Sequence, residues 1–182
     1  MSFSVYRKIA NLILLLVASN LSAQVTYYDA AEFQLLGKAT AATTERYVRL
    51  PDSLEHISRL PLWQLSRNSS GMAVRFRSNS TQVAVKWESL VNFHMDHMTD
   101  VAVKGLDLYC LEGKNWYFVN SARPIGKSTE SSLISGMEAK EREFMIYLPL
   151  YDGLVSLSIG IDAGASINQP ATESPVREKP VV

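Results

Sequence analysis

The chain of 182 residues has one cysteine, three histidines and no surplus of charge, eighteen basic residues standing against eighteen acidic ones. Each scarcity excludes something. A single Cys110 has no partner for an intrachain disulfide, so the fold must be held by its core. That cysteine falls on the apolar parity of its segment with no basic neighbour to lower its pKa, and reads as a small buried hydrophobe rather than a reactive thiol. Zero net charge lacks the basic stripe that neutralises phosphates, so nucleic acid is not an expected partner. There are no heptads, no internal repeats and no sustained helical period. No G-x-S-x-G elbow is present, and no serine sits in a strand–turn–helix setting, so no catalytic residue is assigned.

What is present begins with an address. Arg7 and Lys8 precede an apolar run, Ile9 to Ala18, broken only by Asn11, and Leu21-Ser22-Ala23 offers small residues before Gln24. The run is shorter than the roughly 20 residues a membrane span needs, so residues 1–23 read as a signal peptide. The mature chain is then expected to be secreted or periplasmic, with no membrane association. Cleavage there removes two basic residues and no acidic ones, leaving a net charge of −2.

The rest has the period of strands. Val25 to Tyr28 and Glu32 to Leu36 each suit a first strand, and Tyr47 to Leu50 a short one stopped by Pro51. Met72, Val74 and Phe76 alternate with Ala73, Arg75 and Arg77. After Asn79-Ser80, Val83, Val85 and Trp87 alternate with Ala84, Lys86 and Glu88. Two such runs around a polar turn predict a hairpin with one dry and one wet face, and cross-strand charge pairs on the wet one. Trp116, Phe118 and Asn120 form a further run after the turn at Glu112 to Asn115, followed by a polar loop over 123–136 with a short strand near Leu133-Ile134. Phe144, Ile146 and Leu148 form another strand, and Val155, Leu157, Ile159 and Ile161 the last. About eight short strands joined by tight turns predict an all-β, antiparallel β-sandwich of the jelly-roll kind. Residues 24–163 are its expected extent. Residues 164–182, with Pro170 and Pro175 among polar residues, read as a linker.

Gly105-Leu106-Asp107-Leu108-Tyr109 stands out in the longest strand-like run, Val101 to Leu111. Val101 and Val103 share a face, while Leu106, Leu108 and Cys110 share the opposite parity. A bulge at Gly105 would reconcile the two halves and aim Asp107 and Tyr109 away from the core. The segment His94-Met95-Asp96-His97-Met98-Thr99-Asp100 holds two imidazoles and two carboxylates, but no second ligand pair lies at a familiar interval, so no metal and no cofactor are assigned. Trp87 lies on a core face. Trp116, beside a turn, is the better platform for a sugar ring.

The pentapeptide at 105–109 matches the motif after which the GxDLY domain is named. Pro61-Leu62-Trp63-Gln64-Leu65-Ser66-Arg67-Asn68-Ser69-Ser70-Gly71-Met72, the His-Met segment and Tyr147-Leu148-Pro149-Leu150-Tyr151 follow the same pattern in the same order. The chain resembles that family, the non-catalytic jelly-roll modules at the N-terminus of secreted SGNH (GDSL-type) esterases of Bacteroidetes. The resemblance implies an SGNH hydrolase domain as partner in cis, and a carbohydrate ester or acyl ester as the substrate of the whole enzyme. It departs from the whole enzyme in lacking the serine turn, the oxyanion glycine and asparagine, and the Asp-x-x-His segment. Pro180-Val181-Val182 is expected to be the start of the missing hydrolase's first strand. Asp107, Tyr109, His94, His97 and Trp116 are the residues expected at the interface or substrate. A free-standing carbohydrate-binding module is the alternative.

Overall fold

The computed structural model describes residues 24–171, and both the expected signal peptide and most of the expected tail, from residue 172, lie outside them. Ten strands form two antiparallel sheets: β1 (Val25–Asp29), β2 (Gln34–Leu36), β3 (Ala73–Ser78), β4 (Val83–Ser89), β5 (Leu106–Glu112), β6 (Asn115–Ala122), β7 (Ser128–Ile134), β8 (Arg142–Tyr147), β9 (Leu154–Asp162) and β10 (Ile167–Asn168). One sheet has the order β1-β9-β4-β7. The other runs β10-β3-β8-β5-β6, with β2 also on β3. β2 pairs with Ala73 to Arg75 and β10 with Arg77 and Ser78, so the two short strands share one edge of β3 end to end. Two short helices, α1 (Leu60–Ser66) and α2 (Asp100–Lys104), lie in the connections. The expected all-β sandwich is therefore the fold, with eight strands of five residues or more.

Alternation dictates the core. Val74 and Phe76 on β3, Val83, Val85 and Trp87 on β4, Leu106 and Leu108 on β5, Phe144 and Ile146 on β8, and Leu157, Ile159 and Ile161 on β9 pack into one cluster between the sheets. Phe76 stacks on Phe144 at 5.4 Å between ring centroids. Cys110 is free and buried within this cluster, and burial pushes its thiol pKa up, as expected of an inert cysteine.

Four expectations need correction. β3 and β4 are not hairpin partners: they lie in different sheets, and the turn between them carries the chain across the sandwich. The wet-face charges therefore pair with residues in or just before other strands, Arg75 with Glu143 and Arg77 with Glu141 on one side, Lys86 with Glu130 and Glu88 with Lys127 on the other. Residues 128–134 form a full strand whose serines, threonine and glutamate hide the apolar alternation, since only Thr129 and Leu133 are buried. Val155 is 52 % exposed because it is the extra residue at a register shift, Glu88 pairing with Ser156 and Ser89 with Leu154, so Leu154 takes the core position. Tyr47 and Val48 are buried but form no strand. Past the expected domain limit, the two-residue strand β10 pairs with the end of β3.

The sheet-crossing turn is held by one carboxylate. Asp162 accepts hydrogen bonds from Thr81 N (2.7 Å), Thr81 Oγ1 (2.6 Å), Ser80 Oγ (3.0 Å) and Gln82 Nε2 (2.6 Å). Partial desolvation works against its charge, but these donors outweigh it and hold its pKa below the ordinary carboxylate value. A carboxyl depressed in the folded state stabilises the fold above its unfolded pKa, and that contribution disappears as pH falls through the folded pKa. Asp162→Asn should therefore lower the melting temperature at neutral pH and flatten its decline on acidification below the ordinary carboxylate range. Parallel melting curves for wild type and variant across that range check this.

Candidate functional site

The pentapeptide Gly105–Tyr109 turns out to be a junction. Residues 100–104 are helical, so the parity switch marks the change from helix to strand rather than a bulge at the glycine. Gly105 has an ordinary φ of −76° and is needed for space: a Cβ there would sit 2.4 Å from Val101 O and 2.9 Å from Ala122 O. The register shift lies later, opposite Leu108/Tyr109, where Val119 of β6 is left over between Phe118 and Asn120. Leu106 and Leu108 are fully buried, and Asp107 and Tyr109 point to the other side of the sheet, as expected. Asp107 accepts a hydrogen bond from Ser121 Oγ at 2.6 Å. Tyr109 meets Phe118 edge-on at 5.7 Å and Tyr147 at 5.3 Å.

Just before the junction is a buried charge. The Lys104 side chain is 1 % exposed, and its Nζ donates to Asn92 Oδ1 at 2.6 Å and lies 3.3 Å from Asp100 Oδ2 and 3.1 Å from His94 Nε2. His94 Nδ1 meets Asp100 Oδ1 at 2.9 Å. An imidazole that accepts from an ammonium at Nε2 carries its proton on Nδ1 and donates it to the carboxylate. Desolvation opposes the charge of Asp100, yet the bonds from Lys104 and His94 keep its pKa below the usual value. Asn92, at φ 65°, is the one non-glycine with positive φ among the described residues, and its side chain is the one Lys104 holds.

A second buried charge ties neighbouring loops. Asp152, 1 % exposed, accepts from Val91 N (3.0 Å), Phe93 N (2.9 Å) and Gly153 N (2.8 Å). Its own carbonyl accepts from Ser69 N at 3.0 Å, and Ser69 Oγ accepts from Leu154 N at 3.1 Å. The segment after α1, the 91–100 loop and the turn after β8 therefore converge at one end of the sandwich. The other three matching stretches of sequence, 61–72, 94–100 and 147–151, all run into this end.

The candidate residues fall into two groups. His94 belongs to the loop end through Lys104, and His97 sits on the same loop, 71 % exposed, paired with adjacent Asp96. Asp107, Tyr109 and Trp116 lie on the outer face of the six-stranded sheet. Trp116 is at the far end of the β5–β6 hairpin, half-buried, with the Arg75 guanidinium 5.5 Å from its ring centroid. Among the described residues, no three His, Cys, Asp or Glu side chains gather as a metal site. The bonded neighbours of His94 and His97 are carboxylates and an ammonium, not a hydroxyl or thiol. The residues missed by sequence reasoning are Lys104, concealed in an apolar run, Asp152, in a turn that any acid suits, and Phe118 and Tyr147, whose alternation alone does not tell a core face from an apolar outer face.

Comparison with known proteins agrees with this architecture. The family described as "GxDLY: N-terminus of Esterase_SGNH_hydro-type" matches residues 25–167. This two-sheet sandwich with its 105–109 junction belongs to that family. A GDSL-like lipase from Bacteroides ovatus ATCC 8483, known from its crystal structure, superposes with a TM-score of 0.79 at 37% identity, over 85% of this chain and 45% of that one. The salicylyl-acyltransferase SsfX3 of a tetracycline biosynthetic pathway shares the fold, with a TM-score of 0.54 at 15% identity, over 86% of this chain and 42% of that one. No curated protein matches. The chain thus spans less than half the length of the solved structures it resembles.

Replacing Asp152 by alanine leaves the buried N–H of Gly153 and the partly buried N–H groups of Val91 and Phe93 without their acceptor. Each unsatisfied group costs about 1–3 kcal/mol, reduced where the loop relaxes toward water. We expect Asp152→Ala to destabilise the domain by about 3 kcal/mol, measured by urea unfolding, and to open the 91–100 loop to proteolysis before global unfolding.

Proposed function

We propose that this chain is the non-catalytic accessory domain of an SGNH/GDSL-type esterase. It packs on the hydrolase domain, and its loop end helps to shape the cleft for a carbohydrate- or acyl-ester substrate. The observation that carries this reading is the family match across the sandwich together with the 37% identity to a GDSL-like lipase of which the chain covers 45%. The loop end suits a cleft wall. Val91, Phe93, Leu150 and Tyr151 are exposed there, on segments fixed beneath by Asp152, and His94 and His97 bring polar groups to the same rim. Apolar surface with a few convergent polar groups is what substrate clefts are built from. The basic and apolar N-terminal segment supports export, to the periplasm or outside the cell.

The alternative of a free-standing carbohydrate-binding module has less in its favour. Trp116, its stacking platform, is half-buried and already has the Arg75 guanidinium against its ring.

The purified chain should release no nitrophenol from nitrophenyl acetate above the buffer rate. Turnover that disappears on mutating a single serine would overturn the accessory reading. In affinity electrophoresis the chain should migrate equally with and without polysaccharide. Retardation abolished by Trp116→Ala would favour the carbohydrate-binding alternative.

A further inference from the structure

The two outer faces of the sandwich differ in kind. The four-stranded sheet presents Lys86, Glu88, Glu130, Ser156 and Ser158, with Lys86 paired to Glu130 and Glu88 to Lys127. That is an ordinary solvent face. The six-stranded sheet instead presents Phe118 and Tyr147 in its middle rows, beside half-buried Tyr109 and buried Met145. Phe118 is 56 % exposed and Tyr147 39 %, and both meet the ring of Tyr109 edge-on. The rings are held in place by one another, so the face offers a fixed apolar surface. Aromatic residues so arranged, rimmed by polar groups such as Asp107 and Ser121, are the composition of an interface centre.

The path of the chain indicates what covers it. After β10, Gln169 O accepts from Arg77 Nε at 2.8 Å, and Ala171 N donates to Glu143 Oε2 at 3.2 Å. Glu143 lies on the outer side of β8, in line with Met145 and Tyr147, and is ion-paired to buried Arg75. Residues 169–171 therefore step off the sheet edge onto this face, with the Gln169 amide also donating to Glu32 O at that edge. In a family defined as the N-terminal part of an esterase, the polypeptide beyond this point leads to the catalytic domain.

We propose that the outer face of the six-stranded sheet is the docking surface for the SGNH-type hydrolase domain, with Phe118 and Tyr147 at its centre and the Arg75–Glu143 pair fixing where the chain crosses onto it. This rests on the accessory-domain reading and adds the face to it. Tyr109 then has a stated part: it meets both contact rings edge-on and holds them in place, which gives the last letter of the pentapeptide a physical reason.

The test joins this chain through Ala171 to the catalytic part of the B. ovatus lipase, in place of that enzyme's own N-terminal region. Calorimetry should show one cooperative transition. The double variant Phe118→Lys/Tyr147→Lys should split it into two and speed protease cleavage at the junction at least tenfold. Leu62→Lys/Leu65→Lys, on the exposed side of α1, should leave the single transition intact. Near-ultraviolet circular dichroism of the unfused chain carrying each double substitution verifies that the sandwich still folds, and single substitutions replace any pair that prevents it. Two independent transitions in the unsubstituted fusion would overturn both docking and the accessory reading. One transition that survives the outer-face substitutions but is split by those in α1 would leave the accessory reading standing and overturn the choice of face. Sedimentation of the unfused chain as a dimer that Phe118→Lys dissociates would assign the face to a second copy and overturn the proposal.

Discussion

A buried ion pair on the outside of a sheet is the constraint on which much of this domain depends. Arg75 is 2 % exposed and Glu143 6 %, although both project from the face turned away from the core. Charges removed from water are tolerated only when paired and hydrogen-bonded, and removing one partner from such a pair costs about 3–5 kcal/mol. The pair is shielded by Trp116 over the guanidinium and by the chain at Ala171, whose N–H donates to Glu143. The β5–β6 hairpin, the β3–β8 pairing and the departing chain are thus linked through one charge cluster. Each requires the others: without the tail or the tryptophan the pair is partly rehydrated, and without the pair the tail has no anchor.

The opposite end of the molecule uses the same device twice more. Lys104 is buried between Asn92, His94 and Asp100, and Asp152 beneath the backbone of residues 91 and 93. Loops of this length carry many backbone polar groups and little apolar surface, so core burial alone does not order them. A buried carboxylate that accepts several N–H bonds orders them at few positions. The cost is intolerance of substitution there, and the gain is a rim whose apolar side chains keep fixed positions.

Legibility from sequence followed the physics of each signal. Alternation is a property of a single strand, so β3, β4, β8 and most of β9 were evident, and with them the sandwich and its core. Sheet partners are a property of two strands, and the turn at Asn79-Ser80 suited a hairpin as well as a crossing. The crossing depends on Asp162, eighty residues away, which collects the donors of that turn. β7 was hidden because its outward residues are serine and glutamate. The switch at Gly105 was visible as a change of parity but not as a change of period, since Val101 to Lys104 is a single turn of helix, too short to show one. Lys104 and Asp152 were illegible for a different reason: nothing local distinguishes a buried charge from a solvated one.

The pentapeptide itself can now be accounted for residue by residue. Glycine is required because two carbonyls crowd its Cα, so the helix can end directly against β6. The two leucines enter the core. Aspartate binds the neighbouring strand through Ser121, and tyrosine supports Phe118 and Tyr147. Helix α2, immediately before it, carries Lys104 and with it the loop end, while the strand after it leads to Trp116 and the buried ion pair. One short segment therefore couples the rim of the sandwich to its apolar outer face. β5 joins the proposed docking face directly to α2 and, through Lys104, to the His94 loop. In the proposed arrangement, contact at the outer face and the geometry of the His94 rim are thus set by one continuous segment.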